Sequence, residues 1–303
     1  MPELPEVETL VRRLREPIIG RTIEDVTIYW KRTVARPAPK EFARMLRGRT
    51  VQAIDRRAKY LVFTLQGFAA SAGLRQRSAL LATPSVPPLQ SGGDGQAASP
   101  GQLSTLFLLV HLKMSGKLNV MERGAPRQKH DRVVFDLDDG RELRFNDVRK
   151  FGKLWLVIDP DEVTGNHGPE PLDKSFTLHQ FREMTAGRSG VVKPLLLNQQ
   201  FLAGVGNIYA DEALWYAKIH PRRTMDSLSA AEVAALYRSI RSVLRRAIDD
   251  EGTDAGDGVI AGDYQPRVYG RENQPCYRCH RPIRRIVVAQ RGTHFCPRCQ
   301  PDK

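Results

Sequence analysis

The chain reads as an α+β protein in three parts: an N-terminal β-sandwich domain with a leading helix, a helical domain, and a C-terminal module built on a β-hairpin. Three observations predict this. β-rich runs separated by turn signals recur as far as Ile158, the pattern turns helical after Asp159-Pro160, and all four cysteines lie in the last stretch of the chain. At 303 residues the chain exceeds the usual size of one core, and its 41% hydrophobic residues suffice for ordinary ones. The expected divisions are 1–159, 174–263 and 264–303, with 66–104 a disordered insertion inside the first.

From Glu6 to Arg15 the apolar positions Val7, Leu10, Val11 and Leu14 recur at helical spacing, with Arg12, Arg13 and Arg15 off the stripe. Strands are expected over Ile23–Trp30, Thr50–Arg56, Tyr60–Leu65, Thr105–Leu112, Lys117–Met121, Arg132–Asp136, Glu142–Phe145 and Lys153–Ile158, with a short helix over Phe42–Leu46. Such a set closes as a sandwich or a flattened barrel. Between Leu65 and Thr105 the pattern gives way to Ser, Gly, Pro, Ala and Gln, too long a connection for a compact domain unless it is an insertion. Helices follow over Leu178–Thr185, Val192–Asn198, Ile208–Lys218 and Ser229–Asp250, the last opening on Ser229 with Glu232 at the capping-box position. A Gly/Asp-rich loop runs from Glu251 to Asp263, and the cysteine-bearing module closes the chain.

A formal charge of +13 and a pI near 9.8 point to a polyanion as partner, nucleic acid before an anionic membrane surface. No apolar run approaches the ~20 residues that span a bilayer. The N-terminus lacks a signal-peptide apolar region, so an intracellular protein without a cleavable leader is expected.

Cys276-x2-Cys279 and Cys296-x2-Cys299 present two pairs of thiolates, and the intervening residues read as two short strands turning around Arg291-Gly292. Four soft ligands with no open position describe a closed structural Zn²⁺; two disulfides or an iron–sulfur cluster are the alternatives. Arg291 at that turn is the best placed of the module's basic residues to grip a phosphate. Gly204-Val205-Gly206-Asn207 precedes a helix, where glycines let backbone amides approach an anion, though a helix-to-helix turn needs glycine anyway. Lys193, at the start of the preceding helix, is a second phosphate candidate. Asn146–Gly152 and His111–Gly116 join strands, and Phe151 with its neighbouring cations, or Met114, has the makeup of a wedge for a base stack. Taken singly, residues of these types are more often part of a core.

The first residues are Met1-Pro2-Glu3-Leu4-Pro5-Glu6. Removal of Met1 makes Pro2 the N-terminus, with a free secondary amine. An α-amino group titrates near pH ~8, against ~10.4 for lysine, so much more of it is unprotonated at neutral pH. Attack by a secondary amine on an aldehyde-like carbon gives an iminium directly. The plainer reading is that Pro2 and Pro5 stiffen a helix lead-in.

Together these stretches resemble the bacterial formamidopyrimidine-DNA glycosylases, over nearly the whole chain. The matching segments are Pro2–Thr9, Arg57–Leu61, Met114–Gly116, Asp147–Gly152, Gly204–Ala210, Val268–Arg271 and the four-cysteine finger. The resemblance implies a β-sandwich domain, a helix–two-turn–helix domain and a zinc finger. It also implies a bifunctional enzyme that excises oxidised purines from double-stranded DNA, acting as a monomer, and then nicks the strand by β,δ-elimination. It assigns Pro2 as nucleophile, Glu3 as general acid/base, Lys59 as a phosphate-contacting catalytic lysine and Glu6 as a helper at the N-terminus. Met114, Arg149 and Phe151 match hole-filling residues; Lys193, Asn207 and Arg291 match phosphate contacts; Cys276, Cys279, Cys296 and Cys299 match ligands of one structural zinc. A cytoplasmic, nucleoid-associated protein is then expected. Three stretches depart from the family pattern: the insertion, a loop shortened between Glu251 and Arg267, and Lys113 in place of a small residue. An endonuclease-eight-type enzyme for oxidised pyrimidines is the sister reading, although Leu4 stands where that branch has glycine. A non-catalytic zinc-ribbon DNA-binding protein is the alternative from another class.

Overall fold

The structure, a computed structural model, describes residues 1–68, 103–254 and 262–302. Helix α1 (Leu4–Ile18) leads into β1 (Thr22–Ile28), β2 (Val34–Arg36), α2 (Pro39–Leu46), β3 (Arg49–Arg57), β4 (Tyr60–Phe68), β5 (Leu103–His111), β6 (Gly116–Glu122), β7 (Asp131–Leu137), β8 (Arg141–Asp147) and β9 (Lys153–Val157). Residues 69–102, most of the expected insertion, lie outside the described residues; its edges do not, because β4 continues to Phe68 and β5 begins at Leu103.

The strands form one continuous sheet in the order β2-β9-β5-β4-β3-β1-β7-β8-β6. It doubles over at β1, which touches β3 only at Thr22 and Ile23 but pairs with β7 along most of its length. Inward residues of both halves therefore meet in one core: Ile54, Phe63, Leu108 and Leu156 from one, Val133, Phe135, Leu143 and Phe145 from the other. The sandwich is thus a single folded sheet. The apolar stripe of α1 (Val7, Leu10, Val11, Leu14, Ile18) packs into this core. Burying each such side chain stabilises by roughly 1.5–3 kcal/mol.

Leu4, one turn earlier, belongs to a different core. That second core is built by α4 (Leu178–Thr185), α5 (Val192–Leu197), α6 (Asn207–Ala217) and α7 (Ala230–Asp249), after a short α3 (Asp161–Thr164) in the connection. α7 opens as its sequence predicts: the Ser229 hydroxyl accepts from Glu232 N–H at 3.2 Å and Glu232 accepts from Ser229 N–H at 2.9 Å. The first helix therefore starts in one core and ends in another, which places the N-terminal residues at the junction.

Strands β10 (Arg284–Val288) and β11 (Arg291–Phe295) form the terminal hairpin. Its turn differs from the expected one. Ala289 (φ 46°) and Gln290 (φ 61°) make it, so Arg291 is the first residue of β11 and Gly292 lies within the strand, opposite Val287.

Candidate active site

The residues at the N-terminus are buried, Glu3 and Glu6 at 3% and 4% exposure, with Pro2 beside them and Met1 outside. Burial of two carboxylates demands partners. Glu3 finds them on α6: Oε1 accepts Ile208 N–H at 3.0 Å and Oε2 accepts Tyr209 N–H at 3.4 Å. The glycines ahead of α6 make the approach possible. A Cβ on Gly206 would lie 2.2 Å from the Glu3 carboxyl carbon, and one on Gly204, at φ +82°, would lie 2.7 Å from Leu4. The expected anion cradle at Gly204–Asn207 is thus real, but the anion it holds is the chain's own Glu3. Glu6 accepts Glu3 N–H at 2.8 Å, Thr253 N–H at 2.9 Å and the Tyr209 hydroxyl. It ties α1, α6 and the segment after α7 to one point.

Burial, opposed by Lys59 across the site, raises the Glu3 carboxyl to about 7. It can donate or accept a proton near neutral pH, as a general acid/base requires. Lys59 is itself buried, which lowers its ammonium below the usual lysine range against the pull of Glu3 and Glu6. Its turn is fixed from outside the sandwich. Glu170 accepts from Ala58 N–H at 2.5 Å, Arg56 Nη1 at 2.7 Å and Arg57 Nη1 at 3.1 Å, and Ala58 takes a left-handed φ of 52°.

Ladder register gathers the remaining candidates at the same end of the sandwich. Tyr60 pairs with His111, His111 with Lys153, and Gly116 with Asp147. The buried Asp147 carboxylate accepts from the Ser115 hydroxyl at 2.5 Å, Arg149 N–H at 3.2 Å and Gly152 N–H at 2.8 Å, joining the two connecting loops. Met114 and Phe151 stand 39% and 50% exposed on them, with the Arg149 guanidinium 5.0 Å from the Phe151 ring centroid. Neither is a core residue.

One phosphate candidate is placed otherwise than expected. Lys193 is fully buried, its three donors taken by Asp211 Oδ1 at 2.6 Å, Thr293 Oγ1 at 2.7 Å and Gly292 O at 3.2 Å, which leaves none for a phosphate. Asn207 Nδ2 also donates to Gly292 O, at 3.0 Å. Both residues hold the start of β11, and with it the exposed Arg291, against α6. The reason is the pair Asp211-Glu212 on an otherwise apolar, buried helix. Asp211 binds Lys193 and His294 N–H, and Glu212 accepts the amides of Arg267, Val268 and Tyr269 at 2.7–3.0 Å. The roles of Asp147, Glu170, Asp211 and Glu212 are not read from the sequence: the available signal is an acid ending a strand for Asp147 and a pair of acids within an apolar helix for Asp211 and Glu212, while Glu170, between Pro169 and Pro171, carries none.

Beside α6 lies a cavity of about 330 Å³ lined by Ile208, Thr253, Tyr264 and Tyr269, among others. Ile208 lines it and also holds Glu3 with its amide. Residues 255–261, the centre of the loop expected to be shortened, lie outside the described residues.

The four cysteine Sγ atoms lie within 4.8 Å of one another, with Cys276–Cys299 at 4.0 Å and Cys279–Cys296 at 3.4 Å, and no disulfide joins them. A tetrahedral zinc with ~2.3 Å bonds spaces its sulfurs about 3.8 Å apart, so the set fits one closed zinc. Trp215 packs on Cys276 and Cys296, under the Arg278 guanidinium at 3.7 Å. Chelation is therefore expected to red-shift tryptophan emission and speed hydrogen exchange in β10 and β11 while the sandwich stays protected. An unchanged spectrum on full metal release would contradict it.

Family comparisons agree along the chain. Residues 1–154 match the formamidopyrimidine-DNA glycosylase N-terminal domain, 167–257 its H2TH domain, and 273–301 a zinc finger found in FPG and IleRS. A formamidopyrimidine-DNA glycosylase of Herpetosiphon aurantiacus is 41% identical over 99% of this chain and 100% of its own. The Lactococcus lactis enzyme in complex with FAPY-dG-containing DNA is 33% identical with a TM-score of 0.82, covering 99% of this chain and 100% of that one. A MutM in complex with carbocyclic 8-oxo-G-containing DNA is 35% identical with a TM-score of 0.81, at the same coverage.

Proposed function

The chain belongs to the formamidopyrimidine-DNA glycosylase family, and we propose that Pro2, Glu3 and Lys59 carry its chemistry. It is a DNA glycosylase of base excision repair acting on DNA with oxidised bases or abasic sites, and its finger holds one zinc. AP-lyase activity is typical of the family. The observation that carries the residue roles is the junction itself: the N-terminal segment, a carboxyl raised to about 7 and a buried lysine meet where two cores and the finger converge.

In the proposed sequence the lesion leaves the stack, at a cost of a few kcal/mol that damage partly lowers. Arg149, Phe151 and Met114 fill the hole, and the cavity beside Ile208 receives the base. The Pro2 nitrogen bonds to C1′ as the bond from C1′ to the base breaks, and the proton that the amine gives up leaves with the base, which restores the nitrogen lone pair. Glu3 protonates the sugar ring oxygen, so the ring opens to the iminium. Loss of a C2′ proton then expels the 3′ phosphate, and a second elimination expels the 5′ phosphate. Glu6 fixes the first turn of α1, and Lys59 and Arg291 supply positive charge facing the strand. Lys193 and Asn207 act as positioning residues for Arg291. We assign the parts as 1–159, 174–263 and 264–303. Among the described residues no helix is long and apolar enough to cross a membrane, and we place the protein in the cytoplasm with the nucleoid.

Borohydride trapping across a lesion panel tests this reading. A covalent complex is expected with duplex DNA carrying oxoguanine opposite cytosine or ring-opened purines. Trapping only with oxidised pyrimidines would move the chain to the sister branch, and DNA binding without any trapping would remove Pro2 from catalysis.

A further inference from the structure

The paired wedge Arg149 and Phe151 is separated by Lys150, a non-glycine residue at φ +61°. That left-handed conformation folds the loop so that its two neighbours stack instead of spreading along a strand, and it costs about 1–2 kcal/mol for an L-residue with a side chain. Asp147 anchors the loop through the amides of Arg149 and Gly152 but makes no bond to Lys150 itself. The Lys150 ammonium instead lies 4.2 Å from the centroid of the Trp30 ring.

Trp30 belongs to the connection between β1 and β2, outside every motif the family resemblance rests on. That connection is firmly fixed. Tyr29 and Trp30 N–H both donate to Arg132 O, at 2.9 and 3.2 Å, Val34 pairs with Leu154 of β9, and Lys153 Nζ donates to Arg32 O. Arg132 Nε in turn donates to Asp147 O at 2.8 Å. The indole is thus mounted between β7, whose Arg132 holds Asp147 at the head of the wedge loop, and β9, which follows that loop.

We propose that Trp30 is a positioning residue for base extrusion: its face holds the Lys150 ammonium and so keeps Lys150 left-handed, with Arg149 and Phe151 preassembled. The inference rests on the wedge assignment above. Trp30 touches no reacting atom, so its effect appears only when a base has to be extruded.

The test compares single-turnover excision of oxoguanine paired with cytosine against nicking of a duplex with a preformed abasic site, using the full chain with its zinc. Trp30→Ala is expected to slow excision about 3- to 10-fold, the range of a partly exposed cation–π contact, and to leave abasic-site nicking unchanged. Trp30→Phe restores most of the rate. In a Lys150→Ala background, Trp30→Ala adds nothing further. Equal losses on both substrates, no recovery with phenylalanine, or additive losses in the double variant would each overturn the proposal. Phe151→Ala separates it from its premise: if that variant loses no excision, the wedge assignment falls and this inference with it. A selective loss in Phe151→Ala without one in Trp30→Ala overturns this inference alone.

Discussion

A protein in which Met1 is retained, or in which one residue is added ahead of Pro2, is expected to give no borohydride-trapped complex while still binding lesion-containing duplex. Acylation turns the Pro2 nitrogen into a tertiary amide with no available lone pair, so it cannot bond to C1′. Pro2→Gly is expected to reduce trapping to near background by a different route. Glycine offers a primary amine, whose imine must also gain a proton to serve as an electron sink, whereas a proline iminium is cationic as formed. Glycine also gives up the ring that packs Pro2 into its buried position ahead of Glu3. Binding separates loss of chemistry from loss of fold, since the exposed wedge and Arg291 do not depend on the N-terminal nitrogen. Persistent trapping by the acylated chain would transfer the nucleophile to another amine, and Lys59, with its lowered ammonium, is the one placed to take it.

The legible part of this molecule is local. Helix α1 appears as a stripe of Val7, Leu10, Val11 and Leu14, the strands as β-rich runs, and the start of α7 as Ser229 with Glu232, because each depends on neighbours a few residues apart. What the sequence hides is pairing across long separations. A glycine pair before a helix reads as a phosphate cradle, and only the fold shows that Glu3, some 200 residues earlier, occupies it. Lys193 reads as a surface cation until Asp211 and Thr293 close around it. The hairpin turn lies two residues before its expected place for a similar reason. Glycine is the stronger turn signal, but the Gly292 carbonyl is claimed by Lys193 and Asn207, so Gly292 sits in the strand and Ala289-Gln290 make the turn. Trp30 carries no motif at all, since its role exists only where β1, β9 and the wedge loop are brought together.

Gly206→Ala is expected to lower base excision about 100-fold, with a smaller loss of nicking at preformed abasic sites. The backbone at Gly206, φ −131° and ψ −161°, is open to alanine, so strain is not the cause. The cause is contact: the new Cβ would lie 2.2 to 2.6 Å from the three carboxyl atoms of Glu3, which must move away from the amides of Ile208 and Tyr209. A displaced general acid forfeits a contribution of typically 10²–10⁴-fold. An abasic site is a hemiacetal that opens to its aldehyde without help from Glu3, so nicking there depends on the ring-opening acid less. The pH profile separates displacement from general damage. With the carboxyl held at about 7, excision that needs the protonated acid declines as pH rises above 7. A Glu3 pushed toward solvent loses the burial that raises it, so in Gly206→Ala the decline moves to lower pH, toward the ordinary glutamate range near ~4.3. A rate loss with the alkaline decline still near pH 7 would mean that Glu3 had kept its place, and that the amides of α6 are not what positions the acid.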